Sequence, residues 1–303
     1  MRRGDLYDKD RFAIRMARND NVIMFPTLLS IGPLHLSSFL VFITIALVVF
    51  SFLFWRELRN QAVPEEQIYQ LMFYGMIAAF VGARVGFVVT HQYLFEGSLW
   101  IRMFTLWIQP GLSFYGAFLG SGATMLLLSR QFLIPRSLFL DAFTIGFSSS
   151  FPWGALAAFL DGSMVGKATT LPLGIRMVGF DGLRHPVGLY EMFAVFCILL
   201  ILYAVRVFRK TSLQKTGLYA LWFFFFFSML MFCLEFIKES RVYFSGLTFN
   251  QWVCIGIFGE AAGALITWGG GKEFLKIYVP KMYKQMRHGI GGIYAMFSKR
   301  PTQ

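Results

Sequence analysis

Acidic residues are scarce in this chain. Its 303 residues hold 16 Asp and Glu, 28 Lys and Arg and 4 His, so charged side chains make up 15% of the total. Soluble globular domains carry about 25%. Tandem soluble domains of this length would need polar segments that the sequence does not contain. Cysteine is scarcer still, and Cys197, Cys233 and Cys254 all fall inside apolar runs. That placement argues against a disulfide framework or a thiolate metal site and reads as small buried apolar side chains. No convincing internal repetition occurs, which excludes a repeat array. The first twenty residues mix charges rather than set a short basic cap before an apolar stretch, so no cleaved signal peptide is expected.

What is present is apolar. Hydrophobic residues make up 56% of the chain, with 36 Phe and 15 Met. This predicts an all-α, polytopic helical membrane protein. Seven runs near the roughly 20 residues that a bilayer requires lie at 36–55, 68–92, 112–128, 138–160, 189–207, 217–237 and 252–269. They divide the chain into a polar segment at 1–30, a seven-span region at 31–270 and a basic amphipathic tail at 271–303. Arg11, Arg15 and Arg18 stand at helical spacing and suit a short interfacial helix. Leu94 to Ile108, with Trp100 and Trp107, is expected to lie along the interface.

The net charge of +12 invites a nucleic-acid reading, which the distribution counters. Lys and Arg lie mostly between apolar runs and in the two tails, where they set topology and meet anionic head groups. They are slightly more numerous on the side holding Arg56, Arg59, Arg130, Arg136 and the tail. The excess favours a cytoplasmic C-terminus and an outer N-terminus.

Six ionisable groups fall in or at the edge of spans: Arg84, Asp141, Asp161, Glu191, Glu235 and Glu260. Exposure to lipid would cost several kcal/mol, so each is expected to face the bundle interior or the head groups. Arg84 sits in Gly82-Ala83-Arg84-Val85-Gly86, where small neighbours admit another helix or a lipid head group. It suits either a bidentate phosphate contact or an ion pair with Asp141 or Glu235. Glu260, between Gly259 and Ala261, reads as a packing-site acid, and Phe223 to Phe227 as lipid-facing and packing surface. Ser148-Ser149-Ser150-Phe151-Pro152 puts hydroxyls and a Pro at mid-membrane, and the backbone groups freed there must be met by neighbouring helices or water. A Gly-punctuated loop then runs to Leu189 and is expected to cover a cavity on the outer leaflet. It ends in Arg184-His185-Pro186-Val187-Gly188-Leu189-Tyr190-Glu191, where an acid opens a membrane helix beside an Arg and a His. Such an acid is paired or functional, or it is an acid favoured by the helix dipole.

Taken in order, these motifs resemble the prolipoprotein diacylglyceryl transferases over about residues 30–270. The resemblance rests on Gly-Pro-Leu at 32–34, Gly-Ala-Arg-x-Gly at 82–86 and Gly-Leu-Ser-Phe-x-Gly at 111–116. It also rests on Asp141, on the Gly-x-Leu-x-x-Phe-x-x-Gly frame at 154–162 and on Arg-His-Pro-x-x-Leu-Tyr-Glu at 184–191. It implies a bacterial inner-membrane protein and a reaction that moves diacylglycerol from phosphatidylglycerol to a lipoprotein-precursor Cys sulfur, releasing glycerol phosphate. No metal or other cofactor is implied. The partners implied are a phosphatidylglycerol-like phospholipid and, as alternatives, a lipoprotein precursor or other membrane subunits; nucleic acid is not among them.

That chemistry needs a base for the thiol, donors for the departing phosphate and a lateral opening for lipid. By the resemblance, the family's Tyr of span one falls at Phe39 and its third-span His at Tyr115. Its span-four Arg, Asn and Glu fall at Ala155, Ala158 and Ser163, and the Arg one turn before Glu235 falls at Met231. The candidate catalytic residues are then Tyr115, His185 and Glu235. The candidate substrate-binding residues are Arg84, Asp141, Asp161, Gly166, Arg184 and Glu191. Loss of two Arg should remove several kcal/mol of phosphate stabilisation. Three readings stay open: a non-catalytic member that binds phospholipid or lipopeptide or serves in an assembly; an active transferase with altered roles for Tyr115, Arg84, Arg184 and His185; and a transporter or channel lined by Arg84, Asp141 and Glu235.

Overall fold

A computed structural model describes residues 25–31, 34–92, 111–177, 180–208, 217–240 and 242–268. The expected interfacial segments at 1–20 and 94–108 and the tail at 271–303 lie outside the described residues.

A short antiparallel hairpin of β1 (Thr27–Ile31) and β2 (Leu34–Ser37) leads directly into α1 (Ser38–Asn60). The entry is fixed by Ser38, whose backbone N–H donates to the Pro26 carbonyl at 2.9 Å and whose hydroxyl donates to the Phe25 carbonyl. The apolar run expected to end at 55 continues as helix to Asn60, because Arg56-Glu57-Leu58-Arg59 are good helix formers. Arg59 lies over the Trp55 ring and pairs with Glu65, which opens α2 (Glu65–Thr90). Pro64 precedes that helix, and Glu65 and Glu66 occupy its first turn, where the helix dipole favours acids.

The Ser113 hydroxyl accepts from the Gly116 N–H and caps α3 (Phe114–Gln131). Pro135 precedes α4 (Arg136–Asp161), which Gly162 terminates in the left-handed region at φ 75°. A two-residue ladder, β3 (Ile175–Arg176) with β4 (Leu183–Arg184), precedes α5 (Val187–Phe208). Then come α6 (Leu218–Glu235), the hairpin β5 (Val242–Phe244) and β6 (Leu247–Thr248), and α7 (Phe249–Trp268). Among the described residues, six of the seven helices are long and apolar enough to cross a membrane. The exception, α3, is diluted by Gly116, Gly120, Ser121, Gly122 and Ser129. The chain is a polytopic helical membrane protein, and the seven expected runs each coincide with a helix.

The closest helix pairs are α1 with α4 and α2 with α3. Glycine decides the second. A Cβ added at Gly82 would stand 2.4 Å from the Gly116 carbonyl oxygen, and one at Gly120 would stand 2.5 Å from the Ala78 carbonyl oxygen. Small residues therefore admit a helix beside Arg84. The Ser113 N–H also donates to the Ala83 carbonyl at 2.9 Å, tying the two helices at one end.

Phenylalanine fills the centre. Phe54, Phe139, Phe143, Phe147 and Phe151 on α1 and α4 meet Phe223 and Phe227 on α6, with Phe151 edge-on to Phe227 at a centroid distance of 5.2 Å. Within Phe223–Phe227 the two ends are buried and Phe226 is exposed, so the run both packs and faces outward. α4 continues through Pro152. Ser150 donates to the Phe147 carbonyl at 3.0 Å and Ser148 to the Ile145 carbonyl at 3.4 Å, so these buried hydroxyls are satisfied within their own helix. Of the cysteines, Cys254 is buried as expected, whereas Cys197 and Cys233 are exposed on the outside of the bundle.

Candidate functional site

Alternating helix directions bring seven termini to one end of the bundle: the C-terminal ends of α2, α4 and α6 and the N-terminal ends of α1, α3, α5 and α7. Three loop segments cross there. Around Gly166 and Lys238 the segments after α4 and α6 bridge antiparallel, and Ala168 bridges Arg184 in the same sense. The Lys167 N–H donates to the Ile237 carbonyl at 2.8 Å, the Glu239 N–H to the Val165 carbonyl at 3.0 Å, and the His185 N–H to the Lys167 carbonyl at 3.1 Å. This clasp joins the ends of α4, α5 and α6. Gly166 is required by close approach, since a Cβ there would meet the His185 carbonyl oxygen at 2.2 Å.

Under the clasp lies an ionic cluster. The Lys238 ammonium stands 2.6 Å from a Glu191 oxygen and 3.2 Å from a Glu235 oxygen. Both carboxylates are buried. Glu235 also accepts from the Asn250 amide at 2.8 Å and from the Thr248 hydroxyl at 3.2 Å, at the start of α7. Burial alone would lower the Lys238 ammonium; attraction to Glu191 and Glu235 outweighs it and holds the group above the ordinary lysine range.

Within electrostatic reach of this cluster, the Tyr115 hydroxyl meets the Cys254 sulfur at 3.3 Å. Arg184 donates to the Gly166 carbonyl at 3.0 Å, pairs with Glu239 and stacks over the Phe180 ring. His185 Nδ1 and the Tyr190 hydroxyl are 3.4 Å apart. Arg84 is buried on α2, and one of its guanidinium nitrogens donates to the Gly111 carbonyl at 3.2 Å, just ahead of α3.

Of the sequence candidates, Glu191 and Glu235 come together at Lys238, Tyr115 lies within electrostatic reach of both carboxylates, and Gly166, Arg184 and His185 build the clasp. Asp161 ends α4 at the same end of the bundle and is exposed. Asp141 is elsewhere. Five residues into α4, it lies at the opposite end, where its two oxygens accept from the Gly217 N–H at 2.6 Å and the Ala220 N–H at 3.1 Å. It thereby caps α6 across a helix interface.

Lys238 was not among the sequence candidates. The signal was available, because Lys238 follows Glu235 by three residues at the end of an apolar run, where an ion pair is sterically easy. Glu260 corrects a further expectation. It is exposed on the outside of α7 rather than packed inside. Among the described residues no group of His, Cys, Asp and Glu is arranged to hold a metal ion.

Two apolar side chains complete the geometry. Ala155 and Met231 are buried in the same cluster as Tyr115, Phe151 and Phe227. The start of α5 presses on the first of them: a Cβ at Gly188 would stand 2.9 Å from the Ala155 carbonyl oxygen.

Comparison with known proteins places this architecture. The sequence profile described as prolipoprotein diacylglyceryl transferase matches residues 26–268. The chain is 25% identical over 253 residues to the phosphatidylglycerol–prolipoprotein diacylglyceryl transferase of Wolbachia sp. subsp. Brugia malayi, covering 80% of this chain and 93% of that one. To the enzyme so named from Ehrlichia ruminantium (strain Gardel) it is 25% identical over 212 residues, covering 69% and 81%. To that of Methylocella silvestris it is 30% identical over 205 residues, covering 65% and 74%. With most of its length matched and all seven helices inside the matched region, the chain belongs to the prolipoprotein diacylglyceryl transferase family.

Proposed function

We propose that this chain is a non-catalytic member of its family in a bacterial inner membrane. It keeps the frame that receives lipid and binds a phosphatidylglycerol-like phospholipid or a lipopeptide, or serves as a subunit of a membrane assembly. The observation that carries this reading is the packing of Ala155, Met231 and Tyr115 in one apolar cluster. By the resemblance these positions would hold two Arg and a His, and an apolar cluster offers a departing phosphate nothing to bind. The nearby cations also have partners. Lys238 lies between Glu191 and Glu235, and Arg184 pairs with Glu239, so carboxylates outnumber cations in this group. In this reading Arg84, Asp161, Gly166, Arg184 and Glu191 border the lipid, while Asp141 acts through the α6 cap. The N-terminus lies outside and the C-terminus in the cytoplasm, so the clasp faces outward. The polar segment at 1–30 and the basic tail at 271–303 lie at the two membrane surfaces.

A second reading is favoured by one observation. A buried group of ionisable side chains in a membrane protein commonly marks chemistry, and Tyr115, Cys254, Lys238, Glu191 and Glu235 form such a group. In that case the chain is an active transferase with altered roles for these residues. Transfer of labelled diacylglyceryl from phosphatidylglycerol to a lipobox peptide separates the two, using purified protein beside its Arg84→Ala variant. No transfer by the wild-type chain, with phospholipid still co-purifying, is the expected result. Transfer by the wild type that the variant loses would overturn the non-catalytic reading and put Arg84 in the site.

A further inference from the structure

The outer face of α7 carries a carboxyl where a membrane helix can least accommodate one. Glu260 is exposed and makes no hydrogen bond or ion pair with any described residue. It lies eleven positions after Phe249 and eight before Trp268, so it sits about 16 Å from one helix end and about 12 Å from the other. That is close to the middle of a hydrocarbon core about 30 Å thick. Around it, Gly256, Gly259 and Gly263 share the face at the i, i+3, i+4 and i+7 spacing of one helix stripe, and a Cβ built on any of them meets nothing within 4 Å. Among the described helices, the one packed extensively on α7 is α6. A bare carboxyl at this depth is strongly disfavoured, whereas small residues beside it let a second helix approach closely.

We propose that this face pairs with the same face of a second copy of the chain, α7 against α7, about a two-fold axis along the membrane normal. Such an axis sets every residue opposite its counterpart at equal depth. Glu260 then meets Glu260, and the flanking glycines meet one another. Two carboxyls can share a proton, one donating and the other accepting, so each copy supplies what the other lacks. A helix from another protein would have to bring a polar group to the same depth; the second copy has one there already. The pairing is independent of whether the chain transfers diacylglyceryl, because the face lies outside the cluster around Lys238.

The test is self-association of the purified full chain in phosphatidylethanolamine–phosphatidylglycerol vesicles, read by energy transfer between labelled copies as lipid is added. Wild type should associate. Gly259→Ile, which places a side chain in open space in the single chain and in the path of a partner, should weaken association by about tenfold or more. Glu260→Leu should weaken it similarly, Glu260→Gln should retain most of it by keeping a donor and an acceptor, and Phe193→Leu on the exposed side of α5 should leave it unchanged. Retention of helicity by circular dichroism distinguishes lost pairing from lost folding. A wild-type chain that stays single at every dilution would overturn the proposal. So would association indifferent to both Gly259→Ile and Glu260→Leu, or a single chain whose α7 face is taken by a helix of another protein.

Discussion

Replacing Lys238 by Met removes the cation that lies between two buried carboxylates. At an effective dielectric constant near 20, the contacts at 2.6 Å and 3.2 Å attract by about 6 and about 5 kcal/mol. Withdrawing three ions from water costs several kcal/mol each, so the intact triad is close to neutral in its net effect. The variant keeps the desolvation of Glu191 and Glu235 and loses the attraction. A loss of about 3–5 kcal/mol is expected, measured by equilibrium unfolding in mixed micelles followed by circular dichroism. Removing all three charges, as Glu191→Gln/Glu235→Gln/Lys238→Met, should bring stability back to within about 1.5 kcal/mol of wild type. The pH dependence has a definite sign. Lys238 is held above the ordinary lysine value, so its contribution is complete below about pH 10.4 and fades as pH rises through the folded value. The difference between wild type and Lys238→Met should therefore hold from neutrality up to about pH 10.4 and narrow in strong alkali. A loss under about 1 kcal/mol, or a triple variant no more stable than the single one, would refute the reasoning.

Further outcomes follow from the same geometry. Gly82→Ala sets a methyl against the Gly116 carbonyl and should force α2 and α3 apart, at about 1–3 kcal/mol in the same unfolding measurement. Asp141→Ala leaves the α6 N-terminus without two acceptor contacts and should cost about 0.5–2 kcal/mol. Because Asp141 lies at the far end of the bundle from Lys238, that variant should retain wild-type phospholipid on purification, as measured by lipid mass spectrometry.

Much of the fold was legible in the sequence because a bilayer imposes a length and an apolar content on every crossing. Seven runs were visible and each coincides with a helix among the described residues, with ends displaced by a few residues. The largest displacement, at Asn60, arises because Arg56, Glu57 and Arg59 continue a helix after the apolar signal stops. The small hairpins were not legible. Val242–Phe244 and Leu247–Thr248 are too short for alternation to register, and their turn depends on Ser245 and Gly246 at positive φ. In the site, Glu191 and Glu235 stood out because acids are rare in apolar runs. Lys238 did not, because a lysine just past a span looks like an ordinary interfacial anchor until its partners are known. Asp141 was visible as an acid near a span end, but nothing in the sequence tells a ligand-binding acid from one that caps another helix.

By itself the sequence determined the class of the protein, the approximate limits of the seven long helices among the described residues, and the ionisable residues that a membrane would not accept without a reason. These follow from local composition measured against a solvent of known thickness. Only the tertiary structure decided which of those residues meet. It drew Glu191 at the start of α5 to Glu235 and Lys238 at the end of α6, sent Asp141 to the opposite end of the bundle, and left Glu260 on the outside of α7. The physical reason is that pairing depends on which helix faces pack and on how the glycines at 82, 116, 120, 166 and 188 let backbones approach, and neither is a property of any one segment.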